Sequence, residues 1–484
     1  MKKKANIDKE YVPVRDRIPA PTKITYGLGT GLNMWGLWLY PGVAFAVFNI
    51  YLGVDPRLVG LALTLIRVYD AIIDPVVGWI SDNLRSKHGR RRPFILIAGI
   101  LSGLGLPLLF AVSPEWASVK FLGASVIFWY MAVSSLIYIP IISAFAVPFD
   151  SLGAEMSPDY DERTSIMTYK SVMQKIFEVG NFYALRFTNL AWFLLPAGGK
   201  NTLRGIQVYT GILGTVMAIF AITMFFKLKE RYYDKVVVKT KERISIKSSF
   251  YETLKVQPFR MIMGFGFAFN LSTSMIGSLG YYTTVYYVCR GSTIMGDNWN
   301  FWMGISFMFG GLLGAPILNR IATQIGKRKA VIVAACIGMI GYGGSWYLYT
   351  PLIPWLQTVA SGTMGFAASA LWMLHGSIGA DIIDYDELNT GKRREGSFTA
   401  CGSYILKLGN SAGYFIFGLI LSWIGFDHTV KIQSPETILW IRRTLAGIPI
   451  LGFIVVIIFI LRMGLTREKC EEIRRQLENR RGTV

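Results

Sequence analysis

Long apolar segments, separated by short polar turns, run along most of this chain. Segments without a charged residue that could cross about 30 Å of hydrocarbon recur; they include 24–54, 121–149, 206–226, 261–289, 298–319 and 444–461. The segment 330–380 is long enough for two spans that fold back at Pro351 and Pro354. The pattern predicts twelve helices near 24–53, 58–81, 94–113, 119–150, 167–196, 205–227, 257–289, 298–320, 329–350, 354–382, 397–426 and 440–463. We therefore expect an all-α integral membrane protein.

Composition supports this expectation and places the charges. The 484 residues are 52% hydrophobic, with a mean hydropathy of +0.41. The net charge of +20 invites a nucleic-acid partner. However, the basic residues lie in short turns between apolar segments, above all in 85–92, which is the cytoplasmic signature of membrane proteins. We therefore expect no nucleic-acid partner, and we expect both termini in the cytoplasm at a cell membrane.

An internal repeat divides the chain into two halves. Gly78 lies near the end of the second predicted helix and Gly89-Arg90 in the turn that follows it, and Gly314 and Gly326-Lys327 lie correspondingly in the second half. Gly89 and Gly326 are 237 residues apart (326 − 89), as are Asp82 and Asn319. The predicted organisation is a cytoplasmic lead (1–23), a six-helix bundle (24–227), a cytoplasmic linker (228–256), a second six-helix bundle (257–463) and a cytoplasmic tail (464–484) that forms a short amphipathic helix at the membrane surface. The repeated loop resembles the signature loop of the major facilitator superfamily, which implies that fold.

Two carboxylates inside the second apolar segment need an explanation. Asp70 and Asp74 are four residues apart, so a helix places them on one face. A charged carboxylate at the centre of a bilayer costs about 2.5–3.5 kcal/mol on insertion scales, and such residues usually mark an ion or substrate path. The pair therefore predicts a cation site, with a structural salt bridge to Arg67 as the alternative. Lys407, alone in the eleventh segment, is predicted to pair with these acids, unless it extends to the cytoplasmic surface.

The motif Arg67-x-x-Asp70-Ala-Ile-x-Asp74-Pro-x-x-Gly78 resembles the glycoside–pentoside–hexuronide:cation symporter family. Further likenesses are 148–164, after the fourth helix, and 379–387 with 394–397, before the eleventh. The resemblance covers 22 to about 462. It implies a secondary active transporter that carries a sugar, glycoside or uronide together with a cation by alternating access.

The resemblance also implies roles for particular residues. The family's sodium site uses an Asn and a further Asp where this chain has Ile73 and Ala146, so Thr64 and Ser143 are the expected substitute oxygen donors. Sodium and proton both remain open as the coupling ion. The residues of the expected cytoplasmic gate are Gly78, Asp82, Gly89, Arg90, Glu155, Arg163, Asp384, Arg394 and Glu395.

The fifth helix is unusually charged and is expected to line the transport cavity. Lys170, Gln174 and Glu178 form one stripe, with Lys175 adjacent and Arg186 farther along, and these cations favour a substrate with a carboxylate, such as a uronide. The alternative is a structural pairing of Lys175 with Glu178. The other expected substrate-binding residues, from the resemblance or from sugar stacking on aromatic rings, are Tyr26, Asn33, Asp150 and Trp372.

Rival functions remain. The same fold could carry an amphiphile, such as a lysolipid, or another organic anion. The sequence holds no HExxH, GxSxG or clustered histidines, so we predict no enzyme activity. No cofactor is expected, and no metal beyond a possible Na⁺. The expected partners are a small-molecule substrate, the coupling cation and the lipid bilayer, with the protein as a monomer.

Overall fold

The computed structural model describes residues 17–84, 86, 88–157, 160–196, 199–230, 254–391 and 395–481. Most of the predicted lead (1–23) and linker (228–256) therefore lies outside the described residues. Within them, twelve long helices and one shorter helix account for nearly all of the regular structure.

The first six long helices form the N-terminal half. α1 consists of Ala20–Asn33, Met34–Leu39, Tyr40–Ala44 and Phe45–Tyr51, the second and fourth of which are π-helical. The other five are α2 (Pro56–Asn83), α3 (Arg92–Leu108), α4 (Val126–Glu155), α5 (Tyr160–Phe187) and α6 (Thr202–Lys227). A small antiparallel hairpin, β1 (Lys120–Phe121) with β2 (Ala124–Ser125), precedes α4.

The C-terminal half repeats the arrangement. Its helices are α7 (Gln257–Tyr282, continued as the π-helical Thr283–Val288), α8 (Thr293–Ile325), α9 (Lys327–Leu348), α10 (Leu356–Thr390), α11 (Glu395–Trp423) and α12 (Pro435–Arg462). The shorter helix α13 (Arg467–Arg481) follows.

Several helix boundaries differ from the prediction, such as the end of α10 at Thr390 rather than 382, and two of the differences have local reasons. α4 begins at Val126 rather than near 119, because residues before it form the hairpin, whose turn holds Leu122 at φ 47° and Gly123 at φ 82°. α5 runs from Tyr160 to Phe187 rather than over 167–196. The charged residues at its start continue the helix, and the segment after Phe187 turns back to pair Leu194 with Lys200.

Close helix contacts build each half and also join them. In the first half α3 packs closely against α6 where Gly103 faces Gly214. A Cβ atom added at Gly103 would lie only 2.3 Å from the Gly214 carbonyl oxygen. Small residues allow such approaches inside membranes. The halves meet along α2 and α11, where Gly60 lies against the backbone of Tyr414, and along α5 and α8, where Phe182 packs on Gly304. The result is two six-helix bundles with two seams.

Eight helices among the described residues are long and apolar enough to cross a membrane. α2 and α5 fall short of that measure because they carry charged residues inside the span. We call the end of the molecule that holds the 84–91 turn the basic-loop end, and the end that holds residues 188–201 the far end.

The tail helix α13 packs against α10 at the basic-loop end. Ile473 and Leu477, one turn apart, are buried, and the Lys469 ammonium lies 5.7 Å from the ring centroid of Tyr385. The predicted amphipathic helix therefore has protein under its apolar face.

Candidate functional site

The two acids of α2 meet Lys407 of α11 at the seam between the bundles. The Lys407 Nζ lies 2.9 Å from Asp70 Oδ2 and 2.5 Å from Asp74 Oδ2. Asp70 is buried, whereas the Asp74 side chain is 33% exposed. Lys407 thus lies between the two carboxylates and forms an ion pair with each of them.

Arg67 and Ser143 complete the surroundings of Asp70. Arg67 Nη1 lies 3.6 Å from Asp70 Oδ2, and its Nη2 donates to the Leu37 carbonyl oxygen at 2.9 Å. The guanidinium also lies 4.7 Å from the ring centroid of Trp38. Ser143 Oγ donates to Asp70 Oδ1 at 3.3 Å. Two acids and two bases therefore balance in charge, and Asp74 is the more accessible acid.

Thr64 lies farther along the same seam. Its hydroxyl donates to the carbonyl oxygens of Gly60, at 2.8 Å, and Ser411, at 3.0 Å. It therefore joins α2 to α11 rather than contacting the carboxylates.

The lysines in and beside the charged stripe of α5 form ion pairs within the protein. Lys170 Nζ lies 2.7 Å from Asp150 Oδ1 on α4 and 5.5 Å from the ring centroid of Phe149. Lys175 Nζ lies 2.7 Å from Glu178 Oε2, which is the pairing within the helix that the sequence left open. Gln174 lies half-buried between the two pairs. Each lysine of the stripe therefore has an acid of its own.

The other expected substrate residues have different surroundings. Tyr26 is fully buried, stacks on Phe149 with ring centroids 4.6 Å apart, and donates to the Phe149 carbonyl oxygen at 3.3 Å. Trp372 is 45% exposed and stands edge-on to Phe269 at 5.6 Å. The side-chain oxygen of Asn33 is buried and has no hydrogen-bond partner among the described residues.

The basic-loop end of the first bundle is tied by a residue that sequence reasoning missed. The carboxylate of Glu230 accepts the backbone N–H groups of Arg90, Arg91 and Arg92, at 3.0, 2.7 and 2.9 Å. Gly89 has φ 95°, and a side chain there would lie 2.5 Å from that carboxylate. The N-terminus of α3 is thus closed by an acid that follows α6, as the helix dipole favours.

The second bundle has a basic residue at the equivalent place. Arg467 is 237 residues after Glu230 (467 − 230), and its Nη1 donates to the Thr323 and Gln324 carbonyl oxygens at 3.1 Å each. Its cation therefore meets the C-terminal carbonyls of α8, where Glu230 meets N–H groups. The repeat offset was the signal that could have identified both residues.

The remaining gate residues are only partly described. Gly78 faces α4, since a side chain there would lie 3.7 Å from Val147 Cγ1. Asp384 is half-buried near the end of α10. Arg394 and the side chains of Asp82, Glu155, Arg163 and Glu395 lie outside the described residues.

A second cross-bundle ion pair, also missed from the sequence, lies at the far end. Lys200 forms an ion pair with Asp297 of α8, and both side chains are at most 5% exposed. Tyr281 donates to Asp297 Oδ1 at 2.7 Å, and Lys200 also donates to Thr188 Oγ1 and Asn189 Oδ1 at 2.8 Å each. We call Lys200, Asp297 and Tyr281 the far-end lock.

Contacts between the bundles extend from this lock to the middle of the molecule. They include Tyr282 donating to Asn49 Oδ1 at 2.5 Å and, along the α2–α11 seam, the pairing of Lys407 with Asp74. Asp150 on α4 has a side chain that is 54% exposed. The far end is thus closed by a buried ion pair.

A separate apolar groove of about 500 Å³ lies between α7, α11 and α12. Among its lining residues, the hydroxyl of Ser272 donates to the Ala268 carbonyl oxygen at 2.8 Å, and no charged side chain lines it. It offers apolar contact to an acyl chain but no partner for a charged head group.

Comparisons with known proteins agree with this architecture. The family model described as "MFS/sugar transport protein" matches residues 24–467. The glucuronide carrier protein homolog of Escherichia coli is 23% identical, over 95% of this chain and 96% of its own length. The putative glycoside/cation symporter YagG, also of Escherichia coli, is 23% identical over 94% of each chain.

A solved structure shows the same fold. The crystal structure of the nucleoside transporter NupG has a TM-score of 0.63 and 12% sequence identity, and the likeness covers 92% of this chain and 98% of that one. The carboxylate pair on α2, the two bundles and the matching family model lead to one assignment. This chain belongs to the MFS/sugar transport protein family and, within it, to the glycoside–pentoside–hexuronide:cation symporters.

Proposed function

We propose that this protein couples the downhill entry of a cation, Na⁺ or H⁺, to the uptake of a sugar, glycoside or uronide by alternating access. The observation that carries the proposal is the placement of Lys407 between Asp70 and Asp74, across the seam of the two bundles. The relatives named as a glucuronide carrier homolog and a glycoside/cation symporter support the substrate class.

The geometry gives the cation a way to act on the bundles. A cation at the carboxylates, or a proton on Asp74, removes the attraction that holds Lys407 and so weakens the α2–α11 seam. Because linkage is reciprocal, a substrate that binds better to the released state also raises the affinity for the cation. Asp74, which is the more exposed acid, is the entry point in this proposal, and Asp70 with Arg67 is the buried support.

The proposal includes an orientation. The basic turns face the cytoplasm of a cell by the positive-inside rule, so both termini are cytoplasmic and the far end, which is closed in this structure, faces outward. No cofactor takes part, and the protein acts as a monomer.

The test is uptake by proteoliposomes under an imposed Na⁺ or H⁺ gradient. Matched glycosides and uronides are compared for wild type, Asp74→Asn and the control Asp427→Asn, which changes an acid in an exposed far-end loop. We expect gradient-driven accumulation of one solute in wild type and control, and its loss in Asp74→Asn. Equal accumulation in Asp74→Asn would refute the role of the α2 pair. Lack of accumulation of every sugar would refute the substrate class and favour the amphiphile alternative.

A further inference from the structure

We infer that the transported solute is an uncharged sugar or glycoside rather than a uronide, and that the amide oxygens of Asn33 and Asn181 accept hydrogen bonds from its hydroxyl groups. This inference rests on the proposed function and narrows its substrate class. Two independent observations lead to it: the pairing of the cations, and two buried acceptors without donors.

The first observation concerns charge. Among the described side chains of α5, both lysines are matched at 2.7 Å by an acid: Lys170 by Asp150 and Lys175 by Glu178. A uronide carboxylate that took Lys170 would leave Asp150 without its partner, beside the incoming negative charge. Breaking this partly exposed ion pair costs a modest free energy, about 1 kcal/mol, that an uncharged substrate does not have to overcome.

Lys407 and Arg67 are likewise matched by the α2 acids. The last cation of α5, Arg186, lies at the far end, one turn beyond the contact of Phe182 with Gly304 that closes the α5–α8 seam. Its guanidinium faces the rings of Phe301, at 4.7 Å, and Trp302, at 5.6 Å. None of these residues therefore offers a uronide a free cation on the basic-loop side of the contact between Phe182 and Gly304.

The second observation concerns hydrogen bonding. The side-chain nitrogen of Asn181 donates to the carbonyl oxygen of Met34 at 3.2 Å, which fixes the amide beside the residue that follows Asn33. The side-chain oxygens of Asn33 and Asn181 are both buried and lack a hydrogen-bond donor among the described residues. Buried polar atoms in native structures normally have partners, and an unsatisfied one costs about 1–3 kcal/mol.

Sugar hydroxyl groups are donors that fit such acceptors. Each of these amide oxygens can accept the O–H group of a sugar, and both remain neutral when they do so. A carboxylate has no proton to donate to these oxygens and is repelled by their partial negative charge. The same two groups thus attract a neutral polyol and discriminate against an anion.

The experiment compares two solutes that differ only at the carbon that bears the charge. Binding of 4-nitrophenyl glucoside and 4-nitrophenyl glucuronide is measured by displacement in proteoliposomes, with the corresponding galactoside and xyloside as further neutral probes. We expect at least one neutral glycoside to bind at least tenfold more tightly than the glucuronide. Replacement Asn181→Leu should weaken that binding at least tenfold, whereas Asn389→Leu, at an exposed site on α10, should not.

Two variants test the charge argument directly. Asp150→Asn frees Lys170 and should raise glucuronide binding at least tenfold, while Asp150→Asn with Lys170→Gln should leave it as weak as in wild type. Tighter binding of the glucuronide than of every neutral glycoside in wild type would overturn the inference while the proposed symport stands. Failure to bind any of these sugars would overturn the proposed function itself.

Discussion

The far-end lock makes a quantitative prediction about alternating access. Lys200 and Asp297 are buried together, with Tyr281 donating to the same carboxylate at 2.7 Å. The change Lys200→Met removes the cation but leaves the acid, which stays buried for as long as the far end is closed. Removing one partner of a buried pair costs about 3–5 kcal/mol, because the remaining charge is uncompensated.

The free-energy cost of the unpaired Asp297 carboxylate applies to the closed state alone, since water reaches Asp297 once the bundles separate at the far end. Each 1.4 kcal/mol is a tenfold change in an equilibrium constant, so the open-to-closed ratio should rise by about 10²- to 10⁴-fold. The Tyr281 hydroxyl still donates to the carboxylate, so we expect the lower part of this range.

Cys289 provides a native reporter for this opening. It is buried at the end of α7, beside the far-end lock, and its labelling by a membrane-impermeant maleimide reports the open population. We expect labelling about 100-fold faster in Lys200→Met than in wild type. Lys120→Met, in the exposed hairpin, is the matched control, and Cys289→Ser identifies the signal.

The double variant Lys200→Met with Asp297→Leu tests whether the faster labelling comes from the unpaired charge or from the altered shape of the site. No charge remains buried in it, so labelling should return close to the wild-type rate. Labelling of Lys200→Met at the wild-type rate, or labelling of the double variant as fast as the single one, would refute the reasoning.

Two further predictions concern the basic-loop end. Glu230→Gln replaces the carboxylate that accepts three backbone N–H groups, so it should lower the free energy of unfolding by about 2 kcal/mol, measured by denaturation of the purified protein. Glu115→Gln, in an exposed far-end loop, is the control. Equal stability of the two variants would contradict the capping role of Glu230. Burial, and after it the nearby Asp381 carboxylate, raises the pKa of the Cys470 thiol from 9.0 to about 11. Since only the thiolate reacts, its alkylation at pH 8 should be about 100-fold slower than that of an ordinary thiol and should rise about tenfold per pH unit up to pH 10. Mass spectrometry of the tail peptide measures this, and fast alkylation of the native protein at pH 7 would contradict the burial of α13 against α10.

Sequence alone predicted the class of the fold because its signals are local. Apolar segments of spanning length report the bilayer directly, and the repeated glycine and basic turn, 237 residues apart (326 − 89), reports two equivalent halves. The family assignment and the fold class are confirmed by the matching family model and by solved structures. Asp70, Asp74 and Lys407 were identified for the same reason, since a charge inside an apolar span is visible without coordinates.

Tertiary structure decided which charges meet. The sequence showed Lys170 as part of a cationic stripe, and only the packing of α4 against α5 placed Asp150 at 2.7 Å from it and reversed the expected preference for a uronide into a proposal of a neutral sugar. Lys200 and Asp297 are 97 residues apart in the chain, at the edges of apolar segments where charges are ordinary, so no local pattern marks them. An electrostatic partner is a property of distance in space, and the distance between two residues on different helices is fixed by how the bundles pack.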